Sequence, residues 1–555
     1  MRQLQTPTYI ALYLLLAGVY AFGLWVPLMN NDAAHHANIA LHMFITGNYA
    51  FLIDSGMPYL DKPHFLFWIS ALSYHVFGVT TFAYKFPTLL FTVGGTWSTY
   101  KLGTLLYNKA TGRLAAVIVA SAFAYVLANN DVRMDAILTA SIAFSTWQLV
   151  AFTKQKKILT LLLAALGLAV AFATKGWVGV VVPTVALFFY LAYKRQWQLI
   201  LNPYWLLLIA LFFLLISPVL YAYYLQFDMH PETMVRGRDH ISGVKFILWD
   251  QNFERMAGEN FGAKEKNDYF FFLHSLMWAF LPWSVLVLGA FYWHVRGFFR
   301  HYRPGSKREI LTPAAILFFL LMFSFSKFKL PHYLNMLFPY FAIMLAGYLQ
   351  ANSDNQAYVK WFGRIQLFVM LVMGLVVGLI TAWLFPLNNR WVALMVLLWF
   401  GMVIWLIRAQ VHPYSRTVVT SVGLSATLYL LLNASFYPKL LKYQGASELA
   451  FSYGNKIDTA NLRYLNEGFR EFSFYFYLHT LPVATSLVEL HERKEQGKST
   501  WLLIDEMAMQ QIKDGGFVIK EQYAHSNFHV TRLKPAFLNP ASRQASLSML
   551  FLIRL

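Results

Sequence analysis

Cysteine is absent from this 555-residue chain, and charged residues make up only 13% of it. Without cysteine the chain can form no disulfide, no thiolate metal site and no cysteine nucleophile. Soluble globular proteins carry roughly 25% charged residues. Here 58% of the residues are hydrophobic and 18% are aromatic. The composition is therefore that of a membrane protein.

A glycine-rich phosphate loop of the Walker or Rossmann kind is also missing, and the chain shows no internal repeat. We therefore expect no organic cofactor of the nucleotide-binding type. The basic residues give a formal net charge of +19, but they are scattered between hydrophobic segments instead of forming one patch. This distribution argues against a nucleic-acid partner.

Apolar segments recur from residue 8 to about residue 435, and crossing a bilayer takes about 20 such residues. The pattern predicts an all-α polytopic membrane protein with about thirteen transmembrane helices. The first segment lacks a small-residue cleavage site, so we expect a retained helix and not a signal peptide. The predicted spans are 8–28, 82–106, 113–130, 134–152, 157–174, 176–193, 203–224, 269–295, 310–326, 331–350, 362–385, 390–409 and 414–435.

The loops between these spans differ in charge on the two sides of the predicted membrane. One set is short and basic, which marks the cytoplasmic side, and the N-terminus lies with it. Thirteen crossings then place the C-terminus outside. The connections 29–81 and 225–268 are long and acidic, and long loops in compact proteins tend to be functional. We expect them to form the active site, with short interfacial helices in the first.

Two domains are predicted. Residues 1–435 form the transmembrane catalytic domain, and residues 436–555 have the composition of a small α/β domain outside the membrane. Four segments of that domain have strand-like patterns, 471–478, 499–506, 517–523 and 528–534, and a charged helix is predicted at 485–497.

Asp32 follows the first span and opens an apparent amphipathic helix. It is either an N-cap carboxylate that accepts free backbone amides or a catalytic group, and the sequence alone favours neither. His35 and His36 lie one helical turn on. Since adjacent residues point in different directions on a helix, at most one histidine shares the site of Asp32.

The segment "PYLDKPHFLFW" (58–68) places Asp61 beside Lys62 between two prolines, just before an aromatic interfacial helix. This arrangement suits an anionic lipid headgroup, with the lysine on phosphate and the carboxylate on a metal or a sugar hydroxyl. The plain alternative is a turn with an exposed ion pair, which stabilises little.

Three further segments bring charge to the outer side. "NNDVRMDAILTASIAF" carries Asp131, Arg133 and Asp135, "ATKGWVG" carries Lys175, and "SFSKFKLPHYLNMLFP" carries two lysines, His332 and Tyr333. A single lysine there is usually a snorkelling anchor. Several lysines on a side from which positive residues are normally depleted indicate an anionic ligand; these are Lys62, Lys175, Lys327 and Lys329.

Taken in order, these elements resemble the GT-C class of membrane glycosyltransferases. The similarity is greatest to the bacterial aminoarabinose transferases (ArnT-like), and the protein O-mannosyltransferases are more distant. The resemblance covers about residues 10–350. It rests on Asp32, the "YLDKP" element (59–63), Asp135, "TKG" (174–176), "FERMAGENF" (253–261), "WAFLPWSVLVLGAFY" (278–292) and "SKFKLPHYLNMLFPYFAIMLA" (326–346).

The resemblance implies an inverting transfer of a sugar from a polyprenyl monophosphate, such as undecaprenyl phosphate. It also implies that the acceptor is either a glycolipid, such as lipid A, or a protein. A carboxylate takes the acceptor proton, and cations stabilise the departing phosphate. The resemblance assigns Asp32 as the base and Asp135 as the second carboxylate. Phosphate contacts are assigned to Lys62, Arg255, Lys175 and Lys329, and lipid or acceptor contacts to Tyr59, His332 and Tyr333.

The chain departs from the family pattern at several positions. Ala33 follows Asp32 where the family has Glu, and Asp61 replaces another Glu. His35 and Asn38 stand near an Arg and a second Glu of that pattern. The ArnT-like enzymes bind a divalent metal through the Glu at the position of Asp61 and a His, and Asn252 aligns with that His. Either the metal is lost in this chain, or His35 or His36 joins Asp61 as a ligand.

Three other functions fit parts of the pattern. A flippase for a lipid-linked sugar needs a polar path, yet the predicted helix interiors carry almost no acidic residue, and inverted repeats are not evident. An O-antigen-ligase-like enzyme with a diphosphate donor depends on outer arginines. A non-catalytic scaffold would tolerate replacement of Asp32 and Lys62. The glycosyltransferase accounts for more of the features than these do.

Overall fold

The structure is a computed structural model, and it describes residues 4–251, 253–254, 268–300, 309–465 and 471–555. Two residues from the sequence predictions, Arg255 and Asn252, lie outside the described residues. Their predicted roles stay predictions.

Helices account for most of the chain up to residue 455. Those of the first part are α1 (Thr6–Gly23), α2 (Asp32–Thr46), α3 (Phe65–Phe77), α4 (Thr81–Leu106), α5 (Lys109–Ala120), α6 (Phe123–Asn130), α7 (Asp135–Gln155), α8 (Ile158–Lys175), α9 (Val178–Tyr193), α10 (Trp197–Ile200), α11 (Tyr204–Tyr223) and α12 (Gly243–Lys245). A two-stranded hairpin, β1 (Ile53–Asp54) and β2 (Met57–Pro58), lies between α2 and α3.

The second part of the chain continues in the same way. Its helices are α13 (Phe271–Ala279), α14 (Ser284–Arg300), α15 (Leu311–Phe325), α16 (Phe338–Ala351), α17 (Gln356–Leu379), α18 (Arg390–Arg408), α19 (Pro413–Leu431), α20 (Tyr437–Leu441), α21 (Gly445–Tyr453), α22 (Phe472–Tyr477), α23 (Leu487–Glu495), α24 (Glu506–Asp514) and α25 (Pro535–Leu538). A 3₁₀ helix, Pro331–Leu337, leads directly into α16.

Among the described residues, eight helices are long and apolar enough to cross a membrane, or nine if a bent pair counts as one span. The prediction of a multi-pass helical membrane protein is confirmed, and the number thirteen stays a prediction. The bent pair is α5 and α6, which meet at 52° where one straight span was predicted. The break is stabilised from outside, because the Phe123 amide donates to the Leu281 carbonyl at 2.9 Å. The predicted span 269–295 is likewise two helices, α13 and α14.

Helices α4 and α5 cross with almost no space between their backbones. A Cβ atom added at Gly112 would lie 2.4 Å from the Tyr100 carbonyl oxygen and 2.3 Å from the Thr104 hydroxyl, and one at Gly103 would lie 3.0 Å from the Gly112 Cα. In a bilayer, small residues at such crossings allow the close packing that holds helices together. The first half of the bundle depends on this crossing for its shape.

We expect Gly112→Ala to lower the thermal stability of the detergent-solubilised protein by roughly 1–3 kcal/mol, since overpacking forces the two helices apart. Gly94→Ala is the matched control: it also lies on α4, but a Cβ there meets nothing within 4 Å. The same loss in both variants would show that the crossing is not the cause.

Residues after 456 form a four-stranded sheet in the order β3 (Leu462–Arg463), β4 (Trp501–Asp505), β6 (Ser548–Arg554) and β5 (Glu521–Asn527). β3 and β4 are parallel, and the other pairs are antiparallel. The predicted strand at 499–506 and the helix at 485–497 are confirmed, as β4 and α23. The domain boundary after residue 435 stays a prediction.

Two predicted strands are wrong, and a third is displaced. Residues 471–478 hold helix α22, in which Ser473, Phe474, Tyr475 and Phe476 are all buried, so the segment has no periodicity that separates strand from helix. Residues 528–534 contain turns. The strand predicted at 517–523 begins instead at Glu521. β6, which pairs on both sides, was not predicted.

Candidate active site

Helix α2 begins at the end of the first span, and its cap determines which side chain is available there. Asn31 is the cap: its side-chain oxygen accepts the Ala33 amide at 2.8 Å. The reading of Asp32 as the N-cap is therefore wrong. Asp32 is the first residue of the helix, and 54% of its side chain is exposed. A carboxylate in a first turn is favoured by the helix dipole, and here it faces outward.

Arg133, in the turn between α6 and α7, connects two aspartates. Its guanidinium donates to Asp32 Oδ2 at 3.0 Å and to Asp131 Oδ2 at 2.9 and 3.1 Å. Partial burial alone would raise the pKa of the Asp32 carboxyl, but nearby positive charge, above all that of Arg133, lowers it below its ordinary value. Asp32 is therefore ionised at neutral pH and able to accept a proton.

Asp135 and Lys175 form a second pair, in which both side chains are buried. Lys175 Nζ lies 2.6 Å from Asp135 Oδ1, and His332 Nε2 lies 3.9 Å from Asp135 Oδ2. The Lys175 ammonium also lies 4.9 Å from the centre of the Tyr333 ring. The ends of α7, α8 and the 3₁₀ helix thus bring together four residues that the sequence nominated separately: Asp135, Lys175, His332 and Tyr333.

A cavity of about 410 Å³ opens beside this pair. Its walls come from α9, α15, the 3₁₀ helix, residues 248–251 and Phe253, and they are mainly aromatic and aliphatic, including Trp177, Trp249 and Phe323. Lys175 is the charged side chain in its lining, within the part of the chain that the structure describes. The cavity therefore pairs an apolar volume with one buried ammonium group.

The adjacent histidines His35 and His36 of α2 differ in their surroundings, because successive residues on a helix point in different directions. His35 Nε2 lies 2.9 Å from Asp54 Oδ2 on β1, and its ring packs against Phe472 at 4.6 Å and edge-on to Tyr59 at 5.3 Å. His36 is buried, and that burial, followed by the charge of His35, lowers the pKa of the His36 imidazole well below its usual value. His35 therefore has an acidic partner within contact distance, while the charge of Asp32 also acts on His36.

Asp61 lies elsewhere, in an ion pair with Arg236, which also contacts Glu254 at 3.0 Å. The two predicted metal ligands, Asp61 and His35, thus belong to separate ion pairs. In the described ranges no three His, Asp or Glu side chains come together as a metal site. The residues as placed do not fit the predicted metal, so a metal there stays a prediction and no step below uses one.

The remaining nominated cations are less central. Lys62 is close enough to contribute to the lowered pKa of Asp32. Lys329 donates to the Asp268 carbonyl at 2.7 Å and lies over the Tyr269 ring. The phosphate-binding roles assigned to both stay predictions.

Sequence reasoning gave no role to Arg133, Asp54 or Arg236. For Arg133 a signal existed, because Asp131-x-Arg133-x-Asp135 alternates charge within five residues at a helix junction. Asp54 and Arg236 carried no local signal: Asp54 meets His35 from the hairpin that follows α2, and Arg236 meets Asp61 from the other long loop.

The segment 24–31, which carries the chain into α2, is held from two sides. From within the bundle, the buried Lys85 on α4 donates to the Gly23 carbonyl at 3.1 Å and the Val26 carbonyl at 2.6 Å. The Gly23 carbonyl is at the C-terminal end of α1, and the Val26 carbonyl follows it in the segment 24–31. A buried lysine therefore fixes the exit of the first span.

From the C-terminal part, residues 471–477 pack on the same segment, and we call them the anchor segment. Tyr477 accepts the Leu28 amide at 2.8 Å, and the Ser473 amide donates to the Asn30 side chain at 3.1 Å. Glu471 accepts from the Asn30 side-chain amide, and Asn38 donates to the Phe472 carbonyl at 2.5 Å. Asp32 is therefore positioned by residues more than 400 positions away in the chain.

Tyr477→Phe removes the partner of the Leu28 amide and should destabilise the protein by about 1–2 kcal/mol. Tyr453→Phe serves as the control, because Tyr453 contacts Tyr523 through its ring. Thermal unfolding in detergent measures both. An unchanged midpoint for Tyr477→Phe would mean that the anchor segment does not hold the start of α2.

The chain is similar in sequence or in fold to several known proteins. Residues 61–222 match a family model described as dolichyl-phosphate-mannose-protein mannosyltransferase. An undecaprenyl phosphate-alpha-4-amino-4-deoxy-L-arabinose arabinosyl transferase of Pseudomonas aeruginosa is 25% identical over 319 residues, 56% of this chain and 53% of that protein. An uncharacterized protein of Aquifex aeolicus is 26% identical over 351 residues, 63% of this chain and 64% of that protein. The matched stretch thus spans about half to two thirds of these relatives' length.

Among solved structures, ArnT from Cupriavidus metallidurans bound to undecaprenyl phosphate superposes with a TM-score of 0.74. The match covers 98% of this chain and 97% of that one at 15% identity. The fold is therefore that of a polytopic membrane protein of the ArnT type. The predicted resemblance to ArnT-like GT-C glycosyltransferases is confirmed.

Proposed function

We propose that this protein is an inverting glycosyltransferase that moves a sugar from a polyprenyl monophosphate donor to an acceptor at the outer face of the membrane. The observation that carries the proposal is the apolar cavity that ends at the Asp135–Lys175 pair. A polyprenyl phosphate has the same two parts, a long apolar chain and one anionic group. The relatives named as transferases of an undecaprenyl phosphate-linked sugar support the same class of donor.

The reaction needs three functions, and the site offers a group for each. Lys175 binds the donor phosphate and stabilises the charge that grows on it as the anomeric C–O bond breaks, and Lys62, whose charge acts on Asp32, is a second phosphate contact in this proposal. Asp135 holds the Lys175 ammonium in place from the buried side. Asp32 accepts the proton of the attacking acceptor hydroxyl, while the phosphate leaves with the bonding electrons on the opposite face of the sugar.

Two features fit this order of events. Asp32 is half-exposed, so an acceptor that arrives from the aqueous side reaches it, whereas Lys175 is buried beside the apolar cavity. The acceptor side and the lipid side of the reaction are thus separated. We propose a glycolipid such as lipid A as the acceptor. A protein is the alternative acceptor that the sequence resemblance suggests.

The topology belongs to the same proposal. The basic loops place the N-terminus in the cytoplasm of a bacterium, and thirteen crossings of its inner membrane place the site and the C-terminal region in the periplasm. Ala33 and Asp61 depart from the family pattern, so the identity of the transferred sugar is not part of this proposal.

Asp32→Asn should lower the transfer rate by about 10²–10⁴-fold, the usual contribution of a positioned general base. The measurement is mass spectrometry of envelope glycolipids and glycoproteins in a strain lacking the gene, complemented with wild type or variant. Asp239→Asn, the same change at an exposed aspartate of the second long loop, should restore the wild-type pattern.

Each outcome bears on a different part of the proposal. A sugar lost on deletion and restored only by wild type and Asp239→Asn identifies the acceptor and supports Asp32 as base. Full restoration by Asp32→Asn would remove Asp32 from the mechanism. If deletion alters no glycan, the proposal of a transferase is wrong.

The pH profile tests Arg133. Because Arg133 holds the pKa of Asp32 below its ordinary value, the base is ionised above that pKa, and activity falls only when the pH drops through it. Arg133→Gln removes this charge, so the acid limb of kcat/KM should move to higher pH. Lys245→Gln, which loses an exposed cation 3.8 Å from Asp250, should leave that limb in place. An unmoved limb in Arg133→Gln contradicts the assignment of Asp32.

A further inference from the structure

A second cavity lies far from the proposed active site. Helix α4 begins beside the anchor segment, where Thr81 contacts Tyr477, and ends near Tyr107. Its 26 residues span about 39 Å at 1.5 Å per residue. Tyr107 lines a cavity of about 420 Å³ between α9, α14 and α15. This cavity is therefore at the opposite end of the bundle, among the short basic loops.

The wall of the second cavity is apolar apart from one cluster. Phe189, Phe298 and Leu317 are among its lining residues, and Phe299 beside them is 77% exposed. Since aromatic rings at its rim are exposed, the cavity opens sideways, toward the position of the lipid. Its dimensions and chemistry suit an acyl chain.

The polar cluster contains a buried carboxylate, Glu309, which is only 8% exposed. Its oxygens accept the Thr312 amide at 2.7 Å, the Thr312 hydroxyl at 2.6 Å and the Tyr107 hydroxyl at 3.4 Å. All three donors are neutral, and no cation among the described residues forms an ion pair with it. Burial raises the pKa of the Glu309 carboxyl. With no cationic partner among the described residues, a buried and ionised Glu309 is costly, and a cationic ligand group would offset that cost.

A polar chamber of about 910 Å³ adjoins the apolar one. Tyr107 and Trp293 line both, and the polar chamber is further lined by Asn108, Gln350, Ser353 and Asp354. The two chambers meet at Tyr107, whose hydroxyl contacts Glu309, so the carboxylate lies where the apolar volume joins the polar one.

We propose that these chambers bind an aminophospholipid of the basic-side leaflet, with its ammonium group on Glu309 and an acyl chain between α9 and α15. Arg296 and Arg300, exposed on α14, are placed to meet the lipid phosphate. A primary ammonium fits better than an uncharged headgroup, because it supplies both the missing charge and hydrogen-bond donors. The site is separate from the proposed active site and stands whether or not the transferase proposal holds.

The contacts with Thr312 offer a plainer role for Glu309, namely a cap of α15. The two roles differ in what they predict. A cap affects stability alone, whereas a lipid site also discriminates between headgroups at equal acyl chains. The test must therefore measure headgroup preference and stability in the same variants.

Native mass spectrometry of the full-length protein, titrated with phosphatidylethanolamine or phosphatidylglycerol of identical acyl chains, gives that preference. We expect wild type to retain phosphatidylethanolamine about tenfold better, the ratio that a charge-assisted hydrogen bond of about 1.4 kcal/mol produces. Glu309→Gln should abolish the preference. Thr312→Val, which weakens the cap and keeps the carboxylate, should lower the melting temperature and retain the preference.

Ala314→Trp, which fills the apolar chamber, should reduce retention of both lipids and keeps the test informative if Glu309→Gln fails to fold. Equal retention of the two lipids by wild type would overturn the proposal. So would a Glu309→Gln variant that loses stability but keeps the wild-type preference, since that result assigns Glu309 to the cap.

Discussion

The ion pairs of Arg133 are the interaction on which the proposed active site depends. A single guanidinium holds Asp131 from its own turn and Asp32 from a helix that begins about 100 residues earlier. Because Arg133 stays charged at any physiological pH, it keeps Asp32 ionised and fixes the start of α2 against the start of α7. Asp135, which begins α7, then meets Lys175 beside the apolar cavity.

The same region shows how a membrane bundle and a polar C-terminal part support one site. Lys85 holds the exit of α1 from inside the bundle, and the anchor segment holds it from the C-terminal side. His35 is enclosed by Asp54 and by Phe472 of the anchor segment. The half-exposed Asp32 therefore sits on a frame that is fixed at several points, which is the condition for a general base that must be oriented before substrate arrives.

Much of this was predictable residue by residue. Asp32, Asp135, Lys175, His332 and Tyr333 were nominated from charge at the ends of apolar segments, and the last four do come together. The cap was not predictable, since Asn31 and Asp32 are both good N-cap residues and only the backbone decides between them. The aromatic segment 471–478 was predicted as a strand, because a segment buried on all sides has no hydrophobic periodicity that separates strand from helix. The partner of Asp61 comes from the other long loop and that of His35 from β1, so the sequence could not show whether the two residues share a metal site.

What the sequence by itself determined is the membrane character, the order of the apolar segments and the type of residue at each end, because hydropathy and charge act locally along the chain. The tertiary structure alone decided the pairing: Asp32 with Arg133, Asp135 with Lys175, Asp61 with Arg236, and Glu309 with a cavity at the far end of the bundle. Pairing depends on which helices cross and how closely, and that is settled by packing between segments far apart in the chain.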